Sequence, residues 1–104
     1  MDKSILFFYH ACIVGNIEMI ESLLESSENL NISYADEYGD TALHKAVLFN
    51  QYDVVKYLLD LGCSKNKKNS YGWTALDMAI VDQNDSISNL LRDYGATEYC
   101  VKWQ

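Results

Sequence analysis

Two stretches of the chain match each other at an offset of 33 residues, and this constrains the fold more than any other feature. The first reads Asp36-Glu-Tyr-Gly-Asp-Thr-Ala-Leu-His-Lys-Ala46, the second Asn69-Ser-Tyr-Gly-Trp-Thr-Ala-Leu-Asp-Met-Ala79. Downstream the register holds, with Leu58, Asp60 and Gly62 matching Leu91, Asp93 and Gly95. A chance match does not keep one register through a turn, two helices and a second turn. A period of this size implies a stacked array of small supersecondary units. A weaker copy lies upstream, where Ala11 to Leu24 aligns with Ala46 to Leu59 at an offset of 35. The two extra residues fall in the polar stretch Ser26-Ser27-Glu28-Asn29. The 104 residues thus divide into three units, 1–35, 36–68 and 69–104, of one domain.

Local chemistry explains the pattern within a unit. Asp or Asn, two residues, then Gly is turn chemistry, because the side chain bonds the local backbone and Gly tolerates positive φ. Thr41 and Thr74 are helix N-cap candidates. Leu43, Ala46 and Val47 recur at helical spacing, as do Leu76, Ala79 and Ile80. A break at Asn50-Gln51 ends the first helix, and Asp53 opens the second, with an apolar stripe of Val54, Val55, Tyr57, Leu58 and Leu61. Gly62 and Gly95 close the second helices as glycines just past the last turn.

These residues resemble the ankyrin repeat, whose hallmark is a β-turn, Thr-Pro-Leu-His, two antiparallel helices and a Gly-Ala end. The resemblance covers nearly the whole chain. Thr41-Ala42-Leu43-His44 departs only by Ala for Pro, and Thr74-Ala75-Leu76-Asp77 also replaces the His. The first unit has Leu6-Phe7-Phe8-Tyr9 there instead. Proline is preorganised for the first helical position, so its loss costs a little stability without changing the fold. The resemblance implies an all-α solenoid of three stacked helix–turn–helix units with β-turn fingers. Terminal units need a solvated outer face. Ser88 and Arg92, which replace the counterparts of Val55 and Leu59, are read as such a polar cap. The apolar tail Tyr99 to Trp103 is expected to fold back on the last helix pair, making the array complete.

Eight Lys+Arg against fifteen Asp+Glu give a net charge of −7. That argues against nucleic acid or an anionic membrane as partner, since both need a basic surface. No apolar run is long enough for a transmembrane helix. Ile5 to Tyr9 looks briefly like a signal-peptide core, but His10 interrupts it and Glu18 and Glu21 follow without a credible cleavage site. Cys12, Cys63 and Cys100 are odd in number and fit neither a disulfide framework nor a zinc site. A reducing compartment, the cytoplasm, is the simpler account. An abundance of Asn, Lys, Ile and Tyr with no Pro hints at an AT-rich genome.

No residue set points to catalysis, a metal or a cofactor. His10 and Cys12 are two apart on a helix and face different ways. Cys12 and Cys63 fit small buried places. The resemblance gives His44 a structural role around its turn. Asp82 to Ser86 lacks the glycine of a calcium loop. Lys65, Lys67 and Lys68 read as a solvated turn flank, with a local contact for an acidic partner as the alternative.

The aromatics are more informative. In ankyrin proteins the turn tips and first helices form the concave recognition face. Carried over residue by residue, that marks Glu37, Tyr38 and Asp40, and then Ser70, Tyr71 and Trp73. On the first helices it marks Ile13 and Val14, Leu48 and Phe49, and Val81 and Asp82. An apolar stripe from Ile13 to Val81, flanked by aromatics and rimmed by acids, is expected to bind another protein. The competing account has the turns folding over the stripe, or Trp73 packing on the tail. The expected function is recognition by a monomeric, non-enzymatic module of another, basic protein. Narrower alternatives are a stoichiometric inhibitor or immunity protein, and a secreted effector or adaptor docking on a host protein.

Overall fold

The computed structural model describes residues 3–27 and 30–96, in which six helices follow one another without a strand. They are α1 (Lys3–Val14), α2 (Ile17–Ser26), α3 (Ala42–Leu48), α4 (Tyr52–Asp60), α5 (Ala75–Val81) and α6 (Asp85–Asp93). Consecutive helices pair as three hairpins. α1 packs on α3 and α3 on α5, so the first helices form one layer, while α4 packs on α6 in a second. The expected all-α solenoid is the fold observed. The tail, Cys100 with it, and Glu28 and Asn29 lie outside the described residues.

The core sits between the layers and repeats with the sequence. Phe8, Leu43 and Leu76 occupy one position, Ile20 and Val55 a second, Leu58 and Leu91 a third, all buried. Each such side chain contributes about 1.5–3 kcal/mol through lost apolar exposure. Ser88 corrects the reading of it as part of a polar cap, because it is buried. Its counterparts Ile20 and Val55 are buried too, so this position points inward in every hairpin. Arg92 is exposed as expected. Leu61 is more exposed than the stripe implied, because α4 has ended before it.

Both Thr-Ala-Leu turns begin helices as read. Thr41 Oγ1 accepts the His44 N–H at 3.4 Å, and the Thr41 N–H donates to His44 Nδ1 at 3.1 Å. In the third hairpin Asp77 replaces the imidazole in the same reciprocal cap, with Thr74 N–H to Asp77 Oδ2 at 2.9 Å. Ala42 and Ala75 take the first helical position, where proline would stand, and both are buried.

The corner inside each hairpin is also built alike. Gly15, Asn50 and Gln83 adopt positive φ of 79°, 56° and 58°. The next amides, of Asn16, Gln51 and Asn84, each donate at 2.9 Å to the carbonyls of Ala11, Ala46 and Ala79. Asn16 and Asn84 then cap α2 and α6 through their side-chain oxygens. Gln51 caps nothing; its Nε2 reaches across to the Ile13 carbonyl at 2.8 Å.

Candidate protein-binding face

The turns before α3 and α5 share one hydrogen-bond scheme. Asp36 Oδ1 accepts from the amides of Tyr38 and Asp40, both at 2.9 Å. Asn69 Oδ1 does the same for Tyr71 at 3.0 Å and Trp73 at 3.1 Å. Each turn closes through its glycine, Gly39 N–H to Asp36 O and Gly72 N–H to Asn69 O. The fingers are then tied to each other, Ser70 N–H donating to the Tyr38 carbonyl at 2.8 Å. Gly39 has φ +76°, and an added Cβ would lie 2.9 Å from Asn69 Cα. Positive φ and close stacking together require glycine there.

A polar cluster anchors the first of these fingers. Lys45 Nζ lies 3.2 Å from Asp36 Oδ2, 3.6 Å from Asp40 Oδ2 and 5.9 Å from the centre of the Tyr9 ring. Burial works to raise the Asp36 carboxyl pKa, but the Asp40 and Tyr38 amides and the Lys45 ammonium outweigh it and hold it below the ordinary value. The Tyr9 hydroxyl is shared between the carbonyls of Tyr34 at 2.7 Å and Asp40 at 3.0 Å. Burial first, then Asp36, raises its pKa. One hairpin later, His44 Nε2 lies 2.9 Å from the Trp73 carbonyl, the counterpart of Asp40 O. Its Nδ1 accepts from an amide, so the ring is the Nε2–H tautomer.

Against this frame the marked residues divide. Val14, Leu48, Phe49 and Val81 are each about half exposed at the ends of α1, α3 and α5. They occupy two adjacent positions of the repeat, Val14 with Phe49 and Leu48 with Val81, on helices of one layer, and half-buried Ile13 matches Leu48. Tyr38 is exposed and Tyr71 is 81% exposed. Glu37, Ser70 and Asp82 are exposed. Trp73 is not a free aromatic: it packs against the core, 6.5 Å from the Tyr71 ring centre. Asp40 is likewise engaged, by Lys45 and by Asn69 Nδ2 at 3.1 Å.

Other candidate chemistry falls into structural places. His10 is exposed while Cys12 is fully buried, so the two do not meet. Cys12 and Cys63 are buried free thiols. Burial pushes Cys12 up to about 12 and Cys63 to about 11, which keeps both protonated and unreactive. Lys67 Nζ donates to the Ser33 carbonyl at 2.6 Å. Among the described residues no group of His, Cys, Asp or Glu has metal-binding geometry, and no helix is long and apolar enough to cross a membrane.

Sequence reasoning missed one feature. Leu6 and Phe7 are 52% and 51% exposed, so the first hairpin carries large apolar side chains on its surface. The signal was present in Lys3–Val14, whose only full charge is Lys3.

Comparison with known proteins agrees with this architecture. The family model for ankyrin repeats (three copies) matches residues 8–102. Human transient receptor potential cation channel subfamily A member 1 is 31% identical over 93 residues, which make up 89% of this chain but 8% of the channel. Human Notch-regulated ankyrin repeat-containing protein is 34% identical over 82 residues, covering 77% of this chain and 72% of that protein. The crystal structure of the human ASB11 ankyrin repeat domain matches with a TM-score of 0.75 at 23% identity, over 86% of this chain and 40% of that one. This last likeness is one of fold.

Proposed function

The chain belongs to the ankyrin repeat family, whose units are protein–protein interaction modules, and from that premise we propose that it binds a partner protein on its concave face without catalysing a reaction. The observation that carries this reading is the row Val14, Leu48, Phe49 and Val81, half exposed at matching positions and flanked by Tyr38 and Tyr71. Apolar side chains left half in water at the ends of three successive first helices are not needed for their packing. Exposed aromatic and aliphatic anchors with a polar rim fit a binding hot spot.

The partner is basic. The chain carries −7 net, and the charges free beside the row are Glu37 and Asp82, whereas Lys45 is held by Asp36 and Asp40. Such a field speeds encounter with a cationic surface and weakens with salt. A stoichiometric inhibitor of a basic enzyme or toxin is a second reading, favoured by the same charge.

The test is affinity capture with mass spectrometry, followed by titration of the captured protein. Phe49→Ala with Tyr71→Ala removes exposed groups only, and is expected to weaken binding by about tenfold or more. Unchanged affinity in a folded double variant refutes the site. Loss of the partner's own activity at one equivalent selects the inhibitor reading.

A further inference from the structure

The recognition row changes chemistry at the third hairpin. Ile13, Leu48 and Val81 keep one of its two positions apolar, whereas the other reads Val14, Phe49 and then Asp82. The acid stands where a cleft opens. Between the second and third hairpins, a hollow of about 840 Å³ is lined by Asn50, Tyr52, Asp82, Gln83, Asn84 and Asp85. The two corners form its wall: Asn50 and Gln83 are left-handed, and Asn84 Nδ2 donates to Asn50 Oδ1 at 2.6 Å, tying one corner to the other. Asn50 follows Phe49 and Asp82 follows Val81, so the hollow adjoins the row. Asp82 and Asp85 are both exposed, and among the described residues neither forms an ion pair.

We propose that this cleft takes an arginine side chain of the protein that binds the row, so that row and cleft together select an apolar residue beside a cationic one. The proposal rests on the recognition reading above and names the chemistry of its partner. Charge complementarity decides the occupant: two carboxylates without counterions favour a cation and repel an acid. An anion, the other group that a helix start attracts, has no place here. The Ile87 amide in the first turn of α6 is already taken by Asn84 Oδ1 at 3.1 Å, and the aspartates stand beside it. A small organic ligand fits poorly, because such sites are concave and mostly apolar, while this cleft is open and largely polar. The lining suits guanidinium better than ammonium. The planar fork donates to a carboxylate through two N–H groups at once and keeps others for a neighbouring amide oxygen such as that of Gln83. Its face stacks on aromatic rings, and Tyr52 in the wall is 41% exposed.

Random peptides displayed on phage and panned on the full chain test the proposal. The selected peptides are expected to carry arginine next to an apolar residue. Asp82→Asn with Asp85→Asn keeps the shape of the cleft and is expected to weaken the tightest such peptide about tenfold. Replacing that peptide's arginine by glutamine is expected to lose a similar factor. Combined, the two losses are not expected to multiply, since both remove one contact. If the double variant loses its cooperative thermal transition, Asp82→Asn alone is read in its place, at an exposed side chain that bonds to none of the described residues. Peptides without basic enrichment, peptides rich in acids, affinity indifferent to the aspartates, or losses that multiply overturn the proposal, as does a panning that enriches nothing. Failure of the underlying reading looks different. If Phe49→Ala with Tyr71→Ala leaves the affinity unmoved while the aspartates still couple to the arginine, the row falls and the occupant of the cleft stands.

Discussion

Tyr9, His44 and Asp77 occupy one position of the repeat with three chemistries. The Tyr9 hydroxyl and His44 Nε2 both reach forward to a carbonyl of the next finger, Asp40 O and Trp73 O. Asp77 has no described finger beyond it and completes the helix cap. The sequence alignment showed Tyr9 merely as a mismatch, because a longer ring with a terminal hydroxyl performs the same task under another name. Tyr9→Phe is expected to cost about 1–2 kcal/mol in urea unfolding, since it strands carbonyls that burial hides from water. The thiols give a pH signature. Folded Cys12 keeps its proton to about 12, against 9.0 for the free thiol, so the folded form binds more protons in between. Stability is thus full below pH 9 and declines as pH rises through that window, with Cys63 and Tyr9 adding to the slope. Urea midpoints from pH 7 to 11 are expected to fall less steeply in Cys12→Ala. The burial of both thiols was legible from their places in the repeat; the size of the shift needed the surrounding packing.

At the scale of elements, the turns were the most readable part, because Asx and Gly chemistry is local. Asp36 and Asn69 each organise a finger through one oxygen, and Gly39 lies against the backbone of the next. The corners were less readable. The break at Asn50-Gln51 was visible, but Gln83 in the same left-handed conformation was not, since nothing in its side chain announces it. Opposite substitutions are therefore expected to act in opposite directions. Gly39→Ala combines the left-handed penalty with contact against Asn69 and is expected to destabilise by about 2 kcal/mol or more. Gln83→Gly relieves the same penalty at an exposed site and is expected to stabilise by about 0.5–1 kcal/mol. Chemical denaturation of the two variants beside the parent chain checks both signs. Ser88 teaches the converse lesson: polarity alone suggested the surface, while its aligned counterparts Ile20 and Val55 already pointed inward.

For the whole molecule, a period and a register were enough to anticipate the stack, since the first helix of each hairpin packs on that of the next. What the period does not encode is how the outer sides of the first and third hairpins differ from the pattern. Only departures from it carry that information, and they are few. At one end, polarity is legible in Arg92. At the other, Leu6 and Phe7 break the Thr-Ala pattern with apolar groups that look like ordinary core residues until the fold leaves them outside. The row of Val14, Leu48, Phe49 and Val81 was legible through the family resemblance, whereas the engagement of Trp73 and Asp40 depended on contacts between fingers. The alanines that open α3 and α5 have one more consequence. With Ala42 and Ala75 in proline's place, and no proline elsewhere, the unfolded chain contains no slowly exchanging X–Pro bonds. A double-jump stopped-flow experiment is therefore expected to show the same refolding amplitude and rate after a brief unfolding pulse as after a long one, with no phase on the scale of tens of seconds. The clock that delays many domains is missing from this one.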